Sequence, residues 1–322
     1  MTAVESVVEP VAPVATGPVA RVPTLLRHLV VLARPGHAVK NLLAVPLALT
    51  DTPVWTATAL WRCVWAVAAF TLASSVIYVV NDIADHRLDR AHPAKRRRPI
   101  AAGHVPVPVA GAYAVVLAVL LAALTVNGPA MTWWPLVAYL ALSTAYSRWL
   151  KHVPLLDVCV VSAGFVLRVM QGYAATGATA SSLLLTAVFS GCLVLILGKR
   201  RHELAALGTP HRPALVGYNL LLADHLLGLT TTLAGTAFLL YLHVDAPIDA
   251  YPPVALAIVV PLGLLAAFRY LQAVLVLRAG GDPIRMLLRD RMIVGCAVLA
   301  GATLALAQIT ARYPHLLTWT DR

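Results

Sequence analysis

Charged residues are scarce in this sequence. Asp, Glu, Lys and Arg make up only 12% of its 322 residues, whereas a water-soluble domain carries about 25%. Hydrophobic residues make up 60%, and the mean hydropathy is +0.79. This composition excludes an ordinary soluble domain and indicates a protein with several membrane spans. Because no alternating strand pattern is present, we predict an all-α helical bundle rather than a β-barrel.

Cysteine is rare as well. The four cysteines, Cys63, Cys159, Cys192 and Cys296, all fall within apolar runs and form no C-x-x-C pair. This pattern suggests neither a disulfide framework nor a zinc site. Small residues packed in the core are the simpler interpretation.

Nine apolar runs are long enough to cross a bilayer, which takes about 20 residues. The first run is the weakest because Lys40, Asn41 and Pro46 interrupt it. We predict an all-α polytopic membrane protein with nine transmembrane helices, at roughly 37–54, 58–83, 105–126, 131–147, 154–174, 182–199, 225–243, 252–276 and 291–311.

The 25 Lys and Arg residues are distributed unevenly between these runs. Twenty of them lie in alternate gaps, which predicts a cytoplasmic N-terminus under the positive-inside rule. The net charge of +11 then reflects topology and anionic lipid rather than nucleic acid. We predict a disordered tail at 1–20, a nine-helix domain at 21–314 that includes a short amphipathic helix near 23–33, and a short tail at 315–322.

Four polar residues gather where the second run ends. Asn81, Asp82, Asp85 and Asp89 are spaced so that they project to one side of a helix. None of the three aspartates has Lys or Arg three or four residues away, so either cations from other segments or a bound metal must neutralise them. Mg²⁺ commonly binds one or two carboxylates together with substrate phosphates. We therefore favour a metal–phosphate site over pairing between helices.

Cations adjoin this motif. Lys95 to Arg98 follow it at once, and Arg98, fixed by Pro99, is the best candidate among them for a phosphate contact. Topology alone is an alternative explanation for individual cations of these loops. Three further run ends carry polar residues suited to phosphate binding: Lys40 and Asn41; Tyr146 and Lys151; and Lys199, Arg200, Arg201 and Glu203.

Two ionisable residues lie inside the fifth run. Asp157 and Arg168 are three helical turns apart, on one face but about 16 Å from each other, so they cannot pair directly. An ionisable residue inside a membrane is a functional candidate. For Arg168, a structural bridge between helices is an equally good interpretation. Arg269 lies nearer a helix end, from which its side chain can extend to the membrane surface.

The combination of these motifs resembles the UbiA-type intramembrane prenyltransferases. The matching features are N-D-x-x-D-x-x-x-D at Asn81–Asp89, Arg98-Pro99-Ile100 with Gly103, Tyr146 to Lys151, and the helix that holds Asp157 and Arg168. The resemblance covers roughly residues 30–310. It implies nine transmembrane helices, a cavity that opens sideways to lipid, and Mg²⁺ at a polar cap on the cytoplasmic side.

The sequence departs from the typical family pattern in one segment, and in this it resembles a particular branch of that family. Typical members carry a second Asp-rich motif after the sixth span, where this sequence has Gly198-Lys199-Arg200-Arg201-His202-Glu203. This segment, together with Arg34–Asn41 and Asp85–Gly103, resembles the branch that transfers 5-phosphoribose from phosphoribosyl diphosphate to decaprenyl (polyprenyl) phosphate. The resemblance implies a Mg²⁺-dependent glycosyltransferase of the bacterial plasma membrane that supplies precursors for cell-envelope arabinan.

The resemblance also implies roles for individual residues. The two substrates that the resemblance implies carry three anionic groups between them, so many cations are needed to bind them. Neither substrate is a nucleic acid. Asp85, Asp89, Lys151 and Lys199 are the expected catalytic residues, and Asn81, Asp82, Asp85 and Asp89 are the expected Mg²⁺ ligands. The expected substrate-binding residues are Lys40, Asn41, Asn81, Lys95, Arg98, Tyr146, Arg168, Arg200, Arg201 and Glu203.

Two other functions and the oligomeric state stay open at this point. A prenyltransferase acting on an aromatic acceptor is disfavoured by the weak second Asp motif. A transporter usually has repeated halves, and no convincing internal repeat is present. Small residues at Gly295–Gly301 permit close helix contact, either within the bundle or in a homo-oligomer.

Overall fold

The structure of the chain is a computed structural model that describes residues 22–52, 55–91, 95–206, 213–245, 253–277 and 281–312. Helices joined by turns and short irregular connections make up these segments, so the predicted all-α class is confirmed. The tails predicted at 1–20 and 315–322 lie outside the described residues.

Eleven α-helices follow one another along the described segments: α1 (Val22–Ala33), α2 (Ala38–Ala44), α3 (Ala57–Ala91), α4 (Val107–Val126), α5 (Trp134–Arg148), α6 (Leu156–Thr176), α7 (Ser182–Ala206), α8 (Leu220–Leu240), α9 (Pro253–Leu275), α10 (Pro283–Arg289) and α11 (Arg291–Arg312). Short 3₁₀ turns stand between several of them, at Pro35–His37, Val45–Asp51, Lys95–Arg97, Leu150–His152 and Pro213–Gly217. A π-helical turn at Tyr241–Asp245 extends α8.

Seven of the described helices are long and apolar enough to cross a membrane, namely α3, α4, α6, α7, α8, α9 and α11. The other two predicted spans are shorter. Within the run predicted at 37–54, the described residues form α2 and then the 3₁₀ turn Val45–Asp51, because Pro46 cannot donate the hydrogen bond that would continue the α-helix. The span predicted at 131–147 is α5, which has 15 residues. The prediction of nine spanning helices is therefore not confirmed.

Helix α6 lies against more neighbours than most of the bundle. It packs on α3, α5 and α7 and on the 3₁₀ turn that follows α2. Small residues allow these close approaches, and Ser162, Gly164, Gly172 and Ala175 of α6 are all buried. Because α6 has so many neighbours, polar groups on it can meet side chains from distant parts of the sequence.

A helix, α1, lies where a short amphipathic helix was predicted near 23–33. Its Leu32 is buried, and Leu25 and Leu29 pack with it against residues of α3 and α4. Leu26 and Val30 are exposed on another side, at 62% and 48%. The helix is thus apolar on more than the face that contacts the bundle, which is compatible with the predicted position at a membrane surface.

A close backbone approach to α6 generates a prediction. A methyl group at Gly172 would lie 1.9 Å from the carbonyl oxygen of Val45, a contact that requires backbone to move. We expect Gly172→Ala to lower the free energy of unfolding by at least about 2 kcal/mol through overpacking. Thermal unfolding of the detergent-solubilised protein measures the effect.

Gly228→Ala is the matched control, because a methyl group at this α8 position meets nothing within 4 Å. Gly-to-Ala replacement in an open helical position is favourable by up to about 1 kcal/mol. Equal stability of the two variants would contradict the packing described for α6.

Candidate functional site

Two buried aspartates of α3 share one arginine. The Arg98 Nη1 atom lies 3.0 Å from Asp82 Oδ1 and 2.7 Å from Asp89 Oδ2. Both aspartate side chains are only 3% exposed. Seven residues are two helical turns, so these two carboxylates lie on one line of α3 and the guanidinium can bridge them. The arginine comes from the turn after α3, where its amide donates to the carbonyl of Lys95.

Two further cations complete this cluster. Arg34 Nη2 lies 2.6 Å from Asp82 Oδ1, and the Arg34 guanidinium lies over the ring of Tyr78, 4.8 Å from its centroid. Lys95 Nζ lies 4.0 Å from Asp89 Oδ1. Of the two alternatives that the sequence left open for these two aspartates, cations from other segments are what the structure shows.

Asp85 belongs to a different contact. Its carboxylate faces Lys151, with 3.6 Å between Oδ2 and Nζ, and its side chain is 33% exposed. Lys151 lies on the 3₁₀ turn Leu150–His152, which connects α5 to α6. Asn81, one turn before Asp85, lines a cavity. The four predicted metal ligands are therefore divided between two environments.

Within the described segments, His, Cys, Asp and Glu side chains nowhere form a group of three or more that could hold a metal ion. A Mg²⁺ ion at this site would thus draw on few protein carboxylates, together with amide and substrate oxygens. The predicted ligand set of four stays a prediction.

The cavity of about 180 Å³ lies between α3, α5 and α6, with Lys40 of α2 at its wall. Apolar side chains line part of it, among them Ile77, Leu142, Val160 and Phe165. Polar and ionisable side chains line the rest: Lys40, Tyr78, Asn81, Tyr139, Ser143, Tyr146, Ser147 and Arg168. An apolar chain with an anionic head suits such a mixed lining.

Arg168 is buried in the wall of this cavity, and each of its three guanidinium nitrogens donates a hydrogen bond. Its Nε donates to Asn41 Oδ1 at 2.6 Å, Nη1 to the Gly164 carbonyl at 2.7 Å, and Nη2 to the Tyr139 hydroxyl at 3.0 Å. Asn41 in turn donates to Thr71 Oγ1 at 3.2 Å. Arg168 thus bridges α2, α5 and α6, as the structural interpretation of this residue predicted.

Asp157 pairs elsewhere, so the prediction that it does not contact Arg168 is confirmed. Arg200 Nε lies 2.8 Å from Asp157 Oδ2, and Arg200 Nη1 lies 2.7 Å from Glu203 Oε2. Asp157 is 0% exposed and Arg200 is 3% exposed. Two predicted substrate-binding residues, Arg200 and Glu203, therefore belong to an ion-pair network whose centre, Asp157 and Arg200, is buried.

Arg201 is also paired. Its Nε lies 2.5 Å from Asp224 Oδ1 of α8, and its Nη1 donates to the Val274 carbonyl of α9. Arg269, another arginine singled out in the sequence, pairs with Asp290 at 2.9 Å rather than only extending to the membrane surface. These contacts join helices, and each of the two guanidinium groups has an acidic partner in the fold.

Tyr218 is a member of the site that no motif indicated. Its hydroxyl donates to Asp157 Oδ1 and accepts from the Leu155 amide, each at 2.9 Å. Burial and the hydrogen bond to Asp157 raise the pKa of Tyr218, so the hydroxyl keeps its proton. The sequence offered one signal for such a donor. Asp157 lies inside an apolar run, and Arg168 is too far away to pair with it.

Two predicted phosphate ligands remain without a counter-ion in the part of the chain that the structure describes. Lys199 is exposed at the end of α7, and Lys40 is partly buried in the cavity wall. Arg168, Lys199 and Asp282 are charged groups near enough to act on Lys40 electrostatically. An anion bound beside Lys40 would favour the charged form of this amine.

Residues 42–279 match the sequence profile of the UbiA prenyltransferase family, which is most of the described chain. The chain belongs to this family. The predicted resemblance is therefore confirmed, and the apolar helices together with the family make the chain a multi-pass membrane protein.

Solved UbiA-family structures share the fold. A UbiA homolog from Archaeoglobus fulgidus bound to GPP and Mg²⁺ superimposes with a TM-score of 0.59 at 16% identity, over 87% of this chain and 98% of that one. A UbiA homolog from Aeropyrum pernix K1 gives a TM-score of 0.54 at 15% identity, over 88% of this chain and 98% of that one. At such identities the likeness concerns the fold alone.

Several curated proteins are more similar in sequence. The decaprenyl-phosphate phosphoribosyltransferase of Mycolicibacterium smegmatis is 38% identical over 56% of this chain and 58% of its own length. That of Mycobacterium tuberculosis is 40% identical over 56% of this chain and 61% of its own length. Nodulation protein NoeC of Azorhizobium caulinodans is 30% identical over 65% and 68%. The chain thus spans less than two thirds of the two phosphoribosyltransferases.

The bridge at Arg98 generates a prediction. Arg98→Met leaves two buried carboxylates that share fewer cations, and removal of one partner from a buried ion pair costs about 3 kcal/mol. We expect the free energy of unfolding to fall by about that amount, measured by denaturant unfolding in detergent. Arg97→Met removes the same charge from the neighbouring exposed position and is expected to change stability little. Equal losses from both variants would refute the bridging role.

Proposed function

We propose that this UbiA-family protein transfers 5-phosphoribose from phosphoribosyl diphosphate to a polyprenyl phosphate and releases diphosphate. The names of the curated relatives at 38–41% identity support this activity, since most of them are decaprenyl-phosphate phosphoribosyltransferases. The observation that carries the proposal is the surplus of cations at the site. Lys40 and Lys199 have no protein counter-ion among the described residues, whereas the aspartates of α3 already have theirs.

The number of cations at the site matches the number of anionic groups on the proposed substrates. Phosphoribosyl diphosphate has a diphosphate and a separate 5-phosphate, and the lipid acceptor has a third phosphate. An aromatic acceptor has no phosphate and needs no such cations. We assign Lys40, Lys151 and Lys199 to phosphate binding, because an ammonium group is a strong point donor to phosphate oxygens. Tyr146, which lines the cavity, is placed to contribute a hydroxyl.

The end of α7 argues against a prenyl diphosphate donor. A second metal–diphosphate site there would need free carboxylates. Glu203 is the one acid in the segment from Gly198 to Glu203, and it is bonded to Arg200 at 2.7 Å. The described residues therefore favour a single diphosphate-binding position, at the end of α3.

Asn81 and Asp85 fit a Mg²⁺ ion better than the rest of the predicted set. Asp85 is partly exposed and Asn81 lines the cavity, and hard oxygen ligands of this kind suit Mg²⁺. Asp82 and Asp89 both accept hydrogen bonds from Arg98. We therefore propose that these two aspartates orient the Arg98 guanidinium toward the site. When bound, Mg²⁺ would neutralise charge on the diphosphate as it leaves.

The chain's own residues would bind and orient the substrates. Lys151 and Lys199 attract the donor phosphates, Lys40 attracts an anionic head at the cavity wall, and the apolar lining accepts the adjoining prenyl units. A phosphate monoester is already anionic at neutral pH, so the attacking oxygen needs no general base. Catalysis then rests on proximity and on electrostatic stabilisation of the separating charges.

The proposed membrane arrangement follows from the distribution of Lys and Arg. We propose a bacterial plasma membrane location with the N-terminus and the polar site on the cytoplasmic side. In this arrangement the lateral face of the bundle admits the lipid, and the phosphoribosyl donor arrives from the cytoplasm. A role in arabinan precursor synthesis and a homo-oligomeric state stay predictions.

One assay separates the two transferase reactions. Purified protein with Mg²⁺ is given labelled phosphoribosyl diphosphate and decaprenyl phosphate in one arm, and prenyl diphosphate and a hydroxybenzoate in the other. We expect label in a lipid whose mass equals decaprenyl phosphate plus phosphoribosyl, and none in the aromatic acceptor. A prenylated hydroxybenzoate from the second arm, without product in the first, would overturn the proposal.

Asp85 generates a variant prediction. Asp85→Asn keeps the size of the side chain but removes the charge that pairs with Lys151 and that would bind Mg²⁺. We expect turnover to fall by at least about 100-fold, as is typical when an electrostatic contact at a reacting group is lost. Asp224→Asn is the matched control, because Asp224 is also partly exposed and ion-paired, but its partner is Arg201 and neither residue lines the cavity. Full Mg²⁺-dependent turnover in Asp85→Asn would contradict the assignment.

A further inference from the structure

Two connecting segments meet at the end of the bundle where the site lies. One is the α5–α6 connection, residues 149–155, which holds Lys151. The other is the turn Pro213–Gly217 with Tyr218, which precedes α8. A methyl group at Gly217 would lie 2.4 Å from Pro154 Cγ, so the two segments are in close contact. The hydroxyl of Tyr218 is the polar link between them.

The Tyr218 hydroxyl holds a backbone conformation that is unusual for leucine. Leu155 has φ 65 and ψ −44, a region that residues with a Cβ rarely adopt. Its amide donates to the Tyr218 hydroxyl at 2.9 Å, and the Leu155 side chain is 46% exposed, so side-chain burial does not explain the conformation. Such a conformation persists only where its surroundings impose it.

The same hydroxyl connects this segment to the end of α7. It donates to one oxygen of Asp157, and Arg200 donates to the other oxygen. All three side chains are less than 8% exposed. In a poorly solvated network of this kind each hydrogen bond supports the next. Arg200 is adjacent to Lys199, so the network joins the segment of Lys151 to the helix of Lys199.

We propose that Tyr218 is a positioning residue, whose hydroxyl holds the turn of Lys151 at a fixed distance from the end of α7 so that Lys151 and Lys199 meet one diphosphate together. The inference rests on the proposed function only in that the donor carries a diphosphate. It adds a role for a residue that contacts neither substrate directly. Its effect passes through Lys151.

A double-mutant cycle with inorganic diphosphate and Mg²⁺ tests the inference. Calorimetry gives the affinity of the full chain for this probe in the wild type, Tyr218→Phe, Lys151→Met and the double variant. We expect Tyr218→Phe to weaken binding about tenfold, which corresponds to about 1.4 kcal/mol. We expect the double variant to bind no more weakly than Lys151→Met alone, because Tyr218 acts through Lys151.

Tyr173→Phe is the control. Tyr173 is a buried tyrosine toward the other end of α6, and its hydroxyl also donates to a carboxylate, that of Asp51. We expect this variant to bind the probe as the wild type does, whatever its stability. Unchanged binding in Tyr218→Phe, or losses that multiply in the double variant, would overturn the inference. The assay of the two transferase reactions uses other ligands, so failure of the proposed function is recognised separately.

Discussion

The contact of Arg98 with Asp82 and Asp89 supports the polar end of the bundle. An apolar chain can bury a carboxylate only if a cation and further hydrogen bonds replace water. The two aspartates meet this requirement through Arg98, with Arg34 and Lys95 beside them, and the turn after α3 is thereby tied to α3 itself. The neighbouring Asp85 stays partly exposed and is available to substrate or metal.

The same requirement divides the cations into two groups. Arg168, Arg200 and Arg201 each have protein acceptors that join helices, so their charges are used in the fold. Lys40 and Lys199 have no such acceptor in the described segments, and their charge is available to a ligand. This division is consistent with the chemistry of the two side chains, since the planar guanidinium group suits buried fixed pairs and the flexible ammonium group can bind phosphate as a point charge.

Local patterns predicted the all-α class, most of the long helices and the impossibility of an Asp157–Arg168 pair. Contacts between distant residues were not predictable in this way. Tyr218 lies 61 residues from Asp157 and Arg200 lies 43 residues from it, and no periodicity connects them. Two of the nine predicted spans were not confirmed in the described residues for a related reason. Apolar composition alone did not reveal that the first run changes to a 3₁₀ turn at Val45 or that α5 is short.

Helix α5 has a consequence for the surrounding lipid. Its 15 residues rise about 22 Å, whereas the hydrocarbon layer is about 30 Å thick. Exposed tryptophans flank it, Trp134 at one end and Trp149 at the other, as side chains at a lipid–water boundary do. Hydrophobic mismatch of this kind thins the adjacent leaflets. The head group of the proposed polyprenyl substrate, if it approaches along α5, would therefore travel a shorter distance through hydrocarbon before it reaches the cavity.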